Sequence, residues 1–190
     1  MLGVDREGAT RAIKALLNAL NIDEGEHTAA TPERVARAYE DMLWGYREIP
    51  EDHLLTTFPA PPDPGLIIQG GIDVQSICAH HLLPFGGHAT VAYRPAPAQR
   101  IVGLSKLTRL VYGYSARLQV QERIGQQVVD GIVNVLNPLG CIAIITATHD
   151  CMRLRGCRSP ASLTTTTAVR GILSEQDVSL IHHLHTMRSP

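Results

Sequence analysis

Cys78 and His81 stand three residues apart, a spacing that lets one turn offer a thiolate and an imidazole to the same cation. Alone, such a pair is ordinary: a buried thiol beside a packed histidine. A second pair, His149 and Cys151, lies about seventy residues further on. It follows an apolar, largely β-branched run, residues 141–148, that reads as a buried strand. Alternate side chains of an extended chain share a face, so His149 and Cys151 are expected to point one way and Asp150 the other. Thiolate with imidazole selects zinc over calcium or magnesium. Four ligands make a closed structural site. Three leave a position for water, whose pKa zinc lowers to about 7. The candidates Cys78, His80, His81, His149, Cys151 and Cys157 outnumber either set, and histidines beside a zinc suit proton transfer. Spacing does not divide these six between ligands and proton carriers. Cys141, in mid-strand, reads as a small buried hydrophobe.

The basic residues extend this chemistry. Ser105 and Lys106 open a helix, with Arg109 one turn on. A helix N-terminus flanked by lysine and arginine suits a phosphate, although a solvated helix face accounts for the same residues equally well. Arg153, Arg155 and Arg158 follow directly on Cys151. Cations next to a metal call for an anion, which points to a small phosphorylated substrate. Gln121 and Glu122 begin another helix. The dipole favours a carboxylate there, and the same carboxylate can accept two N–H donors from a purine-like edge.

Several elements must position these groups. Apolar residues recur at helical spacing over 5–20. Thr31-Pro32-Glu33 is a helix start with Thr31 as N-cap. The proline-rich stretch 59–65 can be neither helix nor central strand. It reads as a linker between a helical N-terminal arm, 1–58, and a main domain, 66–190. In that domain 66–77 reads as a strand broken at Gly70-Gly71, 83–87 as a turn, 88–94 as a strand and 101–103 as a short extended piece. Ser105 is expected to cap one helix, a longer one ends at Asn137-Pro138, and 163–169 reads as a strand with one polar face. Ser174 caps a last helix. Strands paired around helices without regular βαβ alternation argue for α+β.

The chain has 190 residues, 44% hydrophobic and 18% charged, with 17 Lys+Arg against 18 Asp+Glu. A core is within reach, and there is no basic excess to footprint nucleic acid. No apolar stretch is long enough to span a bilayer. Residues 1–7 lack the pattern of a secretory leader. A cytoplasmic protein whose four cysteines need no disulfide is expected. The low charge suits a surface partly buried against further copies of itself.

With these residues in place, the chain resembles the GTP cyclohydrolase I family. Ser76-Ile77-Cys78-Ala79-His80-His81-Leu82-Leu83-Pro84-Phe85 resembles its zinc segment. Gly103-Leu104-Ser105-Lys106-Leu107, through Arg109, resembles its phosphate segment, and Leu118-Gln119-Val120-Gln121-Glu122-Arg123 its guanine segment. His149-Asp150-Cys151-Met152 with Arg155-Gly156 resembles its second zinc segment, and Thr31-Pro32-Glu33-Arg34-Val35-Ala36 its N-terminal helix. The resemblance implies zinc on Cys78, His81 and Cys151, with water in the fourth position adding to C8 of GTP. It implies His149 as the acid toward N7 and His80 as its assistant. Ser105 would aid ribose opening, and Gln121 with Glu122 would hold the guanine and nucleoside. Lys106, Arg109, Arg155 and Arg34 would bind the triphosphate, Arg34 from a neighbouring subunit. The products implied are formate and 7,8-dihydroneopterin triphosphate. The fold implied is the tunnelling fold, an antiparallel sheet with helices packed on one face, closed into pentameric rings, with a stacked homodecamer and active sites between subunits. One position departs from the family: Ala79 stands where it normally carries Glu. Loss of a carboxylate that orients an imidazole costs about 10–100-fold in metal affinity or activity. Ala79 is therefore expected to slow the reaction or stop it at an opened formamide.

Overall fold

The computed structural model describes residues 3–22 and 25–187. Residues 1, 2, 23, 24 and 188–190, which belong to the expected arm and main domain, lie outside the described residues. The first helix, α1 (Arg6–Ala19), starts at Asp5, whose carboxylate accepts from the Gly8 N–H at 2.8 Å. It packs against α2 (Thr31–Met42), tied by Arg6 to Glu40 at 2.6 Å. Thr31 is not the N-cap of α2. Ala30 holds that place without a side-chain bond, and Thr31 is already helical because its N–H donates to Thr28 O at 2.9 Å in the turn before. Pro32 tolerates the shift, since no first-turn N–H has an intrahelical partner. Two 3₁₀ turns follow, Trp44–Arg47 and Pro50–Leu55, and bury Leu54 completely in the main core. β1 (Thr57–Pro59) then pairs with β4 (Arg100–Val102) as a small separate ribbon.

The principal sheet has the order β5-β2-β3-β6-β7, built from β2 (Ile67–Cys78), β3 (Pro84–Arg94), β5 (Leu118–Gln119), β6 (Gly140–His149) and β7 (Thr164–Gly171). It is antiparallel except for the two-residue contact of β5 with β2. β2 carries its irregularity between Gln69 and Ile72, where Gly71 has φ +67°. The expected turn at 83–87 is not there. The chain turns at 79–83, and Pro84 to Gly87 belong to β3, with Ile77 opposite Pro84. The glycines serve close approach instead of reversal: a Cβ on Gly87 would lie 2.0 Å from the Thr146 carbonyl oxygen of β6. Pro84 heads the strand, where a missing N–H is tolerated.

α3 (Leu104–Ser115) and α4 (Gln121–Leu136) cover one face of the sheet, burying Leu107, Leu110, Ile124, Val128 and Ile132 against Ala143 and Ile145 of β6. α3 and α4 share one face as expected, but α6 (Glu175–Thr186) lies on the other, where Ile181 meets Ile142 and Ile144, because alternate residues of β6 are apolar on both sides. β6 is therefore buried on both sides, which is why its sequence is a continuous apolar run. A polar clamp fastens α6. His185, 2% exposed, reaches Thr90 Oγ1 and Thr146 Oγ1, each at 2.9 Å, and its ring lies 4.6 Å from that of His88. Arg94 donates twice to Asp177, at 2.6 and 3.0 Å. Among the described residues, the outer edge of β7 and, ahead of Ile77, the side of β2 that faces away from β3 pair with no strand. No helix of the described residues is long and apolar enough to cross a membrane. The architecture is α+β, and its functional end is where the last residues of β2 and β6, the start of β3 and the first turn of α4 meet.

Candidate metal centre and active site

Cys78 is the last residue of β2 and is 5% exposed. Its N–H donates to Leu83 O at 2.8 Å, and its own carbonyl accepts from Leu82 at 2.9 Å and His81 at 3.3 Å. Leu82 takes φ +55° to close this turn. Two outside bonds hold it: Ala79 N–H to Gln119 O at 2.9 Å, and Tyr39 Oη from α2 to Leu82 O at 2.8 Å. The tight reversal is what turns His81 back onto Cys78.

Cys151 arrives differently from the strand alternation expected of it. β6 stops at His149, and the short helix α5 (Asp150–Arg153) carries Cys151 on its first turn. The result is the same on the metal side. The ligand atoms of Cys78, His81 and Cys151 all lie within 4.8 Å of one another, and Cys78 Sγ is 3.8 Å from His81 Nδ1. Tetrahedral zinc, with Zn–S of about 2.3 Å and Zn–N of about 2.0 Å, sets its ligands roughly 3.5–3.8 Å apart. The group fits that ion after a small closure. Burial, followed by the neighbouring Cys78 sulfur, pushes the Cys151 thiol up, so the two sulfurs need a cation to be thiolates together. Asp150 does point away: it pairs with Arg153 at 3.1 Å, and both line a cavity of about 620 Å³ with Trp44, Asp73, Phe85 and Tyr112.

Around the three candidate ligand atoms stand the histidines expected to carry protons. His80 is exposed, its ring 6.2 Å from that of His81 and nearly perpendicular to it. His149 stacks on Phe85, with ring centroids 4.4 Å apart and planes 8° from parallel. Its Nε2 lies 2.7 Å from Gln121 Oε1. Burial lowers the His149 pKa, and the Glu122 charge on α4 partly offsets it. Gln121 is 2% exposed, and its amide nitrogen donates to Ile145 O, Thr164 O and Thr166 Oγ1 at 3.0, 2.9 and 3.2 Å. Arg155 donates to His81 Nε2 at 2.7 Å.

Other expected site residues lie elsewhere in the same chain. The end of α3 is beside Cys78, since Ser76 Oγ donates to Arg117 O, two residues past the helix. Ser105 stands ten residues before Ser115 at the far end of α3, roughly 15 Å away along the axis at about 1.5 Å per residue. Lys106 and Arg109 share that end. Ser105 does not cap: Gly103 is the N-cap, without a side-chain bond. Arg34 is exposed on α2. Sequence reasoning overlooked Phe85, which it placed in a turn, and the tie from Tyr39. The signal for Phe85 was its register: were 84–87 read as strand, Phe85 would fall opposite His149.

The model of the GTP cyclohydrolase I family matches residues 9–187. A protein named GTP cyclohydrolase 1 from Desulforamulus reducens is 44% identical over 170 residues, covering 89% of this chain and 90% of that one. Its namesake from Streptomyces coelicolor is 44% identical over 172 residues, covering 90% and 85%. That from Carboxydothermus hydrogenoformans is 40% identical over 192 residues, covering 97% and 99%.

Proposed function

Because this chain belongs to the GTP cyclohydrolase I family, we propose that it opens the imidazole ring of GTP by hydrolysis at C8, releases C8 as formate and yields 7,8-dihydroneopterin triphosphate. The observation that carries this reading is the convergence of Cys78, His81 and Cys151 beside a stacked and hydrogen-bonded His149. Cys78, His81 and Cys151 would hold zinc, which when bound supplies a Lewis acid and lowers the pKa of water to about 7.

The chain's own residues do the rest. His149, kept neutral by burial, faces the purine through the nitrogen that Gln121 leaves free, takes a proton there and delivers it to N7. His80, exposed at the same turn, carries protons between this pocket and solvent. Glu122 accepts from the guanine edge. Were His81 to hold zinc through Nδ1, its proton would sit on Nε2, and Arg155, now at that nitrogen, would be free for the triphosphate. Ser105, Lys106, Arg109 and Arg34 complete the site from neighbouring copies: Ser105 at the ribose, the three cations on the phosphates. The displacement of Ser105 from the metal group and the two open sheet edges support a closed homo-oligomer, the decamer of the family, working in the cytoplasm on GTP. Nucleic acid and membrane play no part in it.

A second reading rests on Ala79. This exposed residue offers no carboxylate beside His80, and a divergent enzyme of this kind would stop at the ring-opened formamide or serve as a silent assembly subunit. One experiment separates the outcomes. Zinc-loaded protein is incubated with GTP and its products are identified by mass spectrometry. Dihydroneopterin triphosphate with one formate per GTP is expected. An accumulated formamide selects the divergent enzyme, and unchanged GTP overturns the hydrolase.

A further inference from the structure

Gln121 is better placed to act on a side chain than on a nucleotide. Both hydrogens of its carboxamide nitrogen are engaged within the protein, and its oxygen already meets His149. The nitrogen donates to the Ile145 and Thr164 carbonyls and to Thr166 Oγ1. The two carbonyls can only accept, which fixes the orientation of the amide and makes Oε1 the atom that faces His149 Nε2 at 2.7 Å. An amide oxygen can only accept, so Nε2 carries the hydrogen and Nδ1 of the neutral ring is bare. The residue is 2% exposed, and the ring it holds is pressed flat on Phe85.

We infer that Gln121 is a positioning residue: anchored on the β6–β7 strand pair, it fixes the rotation and tautomer of His149 so that a bare Nδ1 meets the substrate. The inference rests on the proposed GTP reaction and deepens it. The bookkeeping closes. As the water oxygen bonds to C8, Nδ1 accepts the proton that the water gives up. The Nε2–H bond to Gln121 is kept throughout, and Nδ1 passes that proton to N7, which receives the electron pair of the opened C8=N7 double bond. A ring turned over by 180° would present Cδ2–H where a lone pair is needed, and the other tautomer would present N–H there. The catalytic residue is His149; Gln121 acts through it.

The test compares Gln121→Met, which fills the space without accepting, with Gln121→Glu, whose protonated form still accepts from Nε2 and donates once. Wild type and variants are assayed for turnover, for zinc per chain and for GTP affinity by equilibrium binding. Gln121→Met is expected to lose about 10–100-fold in kcat, as second-sphere orienting partners do, with KM, GTP affinity and zinc content within threefold of wild type. Gln121→Glu is expected to recover at least part of that loss in kcat. A raised KM and weakened GTP binding at unchanged kcat would make Gln121 a nucleotide contact and overturn the inference. Equal losses in both variants would make it merely structural and overturn it as well. Should Gln121→Met not fold, Thr166→Val decides, since Thr166 touches Gln121: a several-fold fall in kcat at unchanged KM supports the inference, and no change overturns it. Failure of wild type to turn over GTP is a different result, which removes the proposed function itself.

Discussion

His185 clamps the last helix to the sheet only while its ring is uncharged. Burial first, then the nearby His88 and His182, lowers its pKa from 6.5 to about 4. The folded state therefore prefers the neutral ring. This contribution is complete above the unfolded value of 6.5 and drains away as the pH falls through the folded value. At about 1.4 kcal/mol per unit, the shift is worth about 3 kcal/mol at most, with about 2 kcal/mol lost by roughly pH 4.5. Replacing the ring in His185→Leu leaves Thr90 without its partner and Thr146 with only Thr165, a cost of about 1–3 kcal/mol near neutrality. The variant has nothing to protonate at this position. The stability gap between wild type and His185→Leu should therefore be widest near pH 7.5 and nearly close by about pH 4.5. Urea midpoints followed by circular dichroism at fixed protein concentration measure the gap, and subtraction removes the other titrating groups. Parallel curves across that range would show that the ring is not held neutral and would refute the reasoning.

Three further outcomes follow from the geometry. Cys151→Ala removes one of two thiolates and should abolish bound zinc and turnover together; a zinc content of one per chain in the variant would contradict the ligand assignment. Arg155→Ala should raise KM for GTP more than it lowers kcat, because a phosphate contact is uniform between ground and transition states, and steady-state kinetics decide. Gly87→Ala forces a methyl group to within 2.0 Å of the Thr146 carbonyl. At a cost of about 3 kcal/mol, the melting temperature should fall by about 6–12 °C, and an unchanged melting temperature would mean that β3 and β6 are not so close.

Much of the scaffold was legible because burial imposes periodicity. The longer helix ending at Asn137-Pro138 was expected where α4 lies, with Ile124, Val128 and Ile132 spaced along its buried side, and the apolar run from Cys141 announced a buried strand. Close approach was harder to see. Gly86 and Gly87 read as a turn because glycine serves both reversal and contact, and only the position of β6 distinguishes the two. Capping was misread at Thr31 and Ser105 because a neighbouring turn, or Gly103, supplies the helix start. At the site, C-x-x-H spacing and the His149–Cys151 pair named the residues that come together, although α5 and not strand alternation delivers Cys151. Polar partnership was illegible. Nothing in the string of letters says that Gln121 spends its amide on the backbone of β6 and β7, or that Phe85 lies flat on His149.

Tyr39 lies on α2, yet its hydroxyl holds the carbonyl of Leu82, while Gln119 holds the N–H of Ala79 from the opposite side. The loop between them contains a residue at positive φ and would relax without those restraints. Capture of an ion by this loop would therefore carry little ordering entropy, and its escape would demand that two separate parts of the molecule let go. Loosening α2 should shorten the residence time of the ion well before it affects the integrity of the sheet.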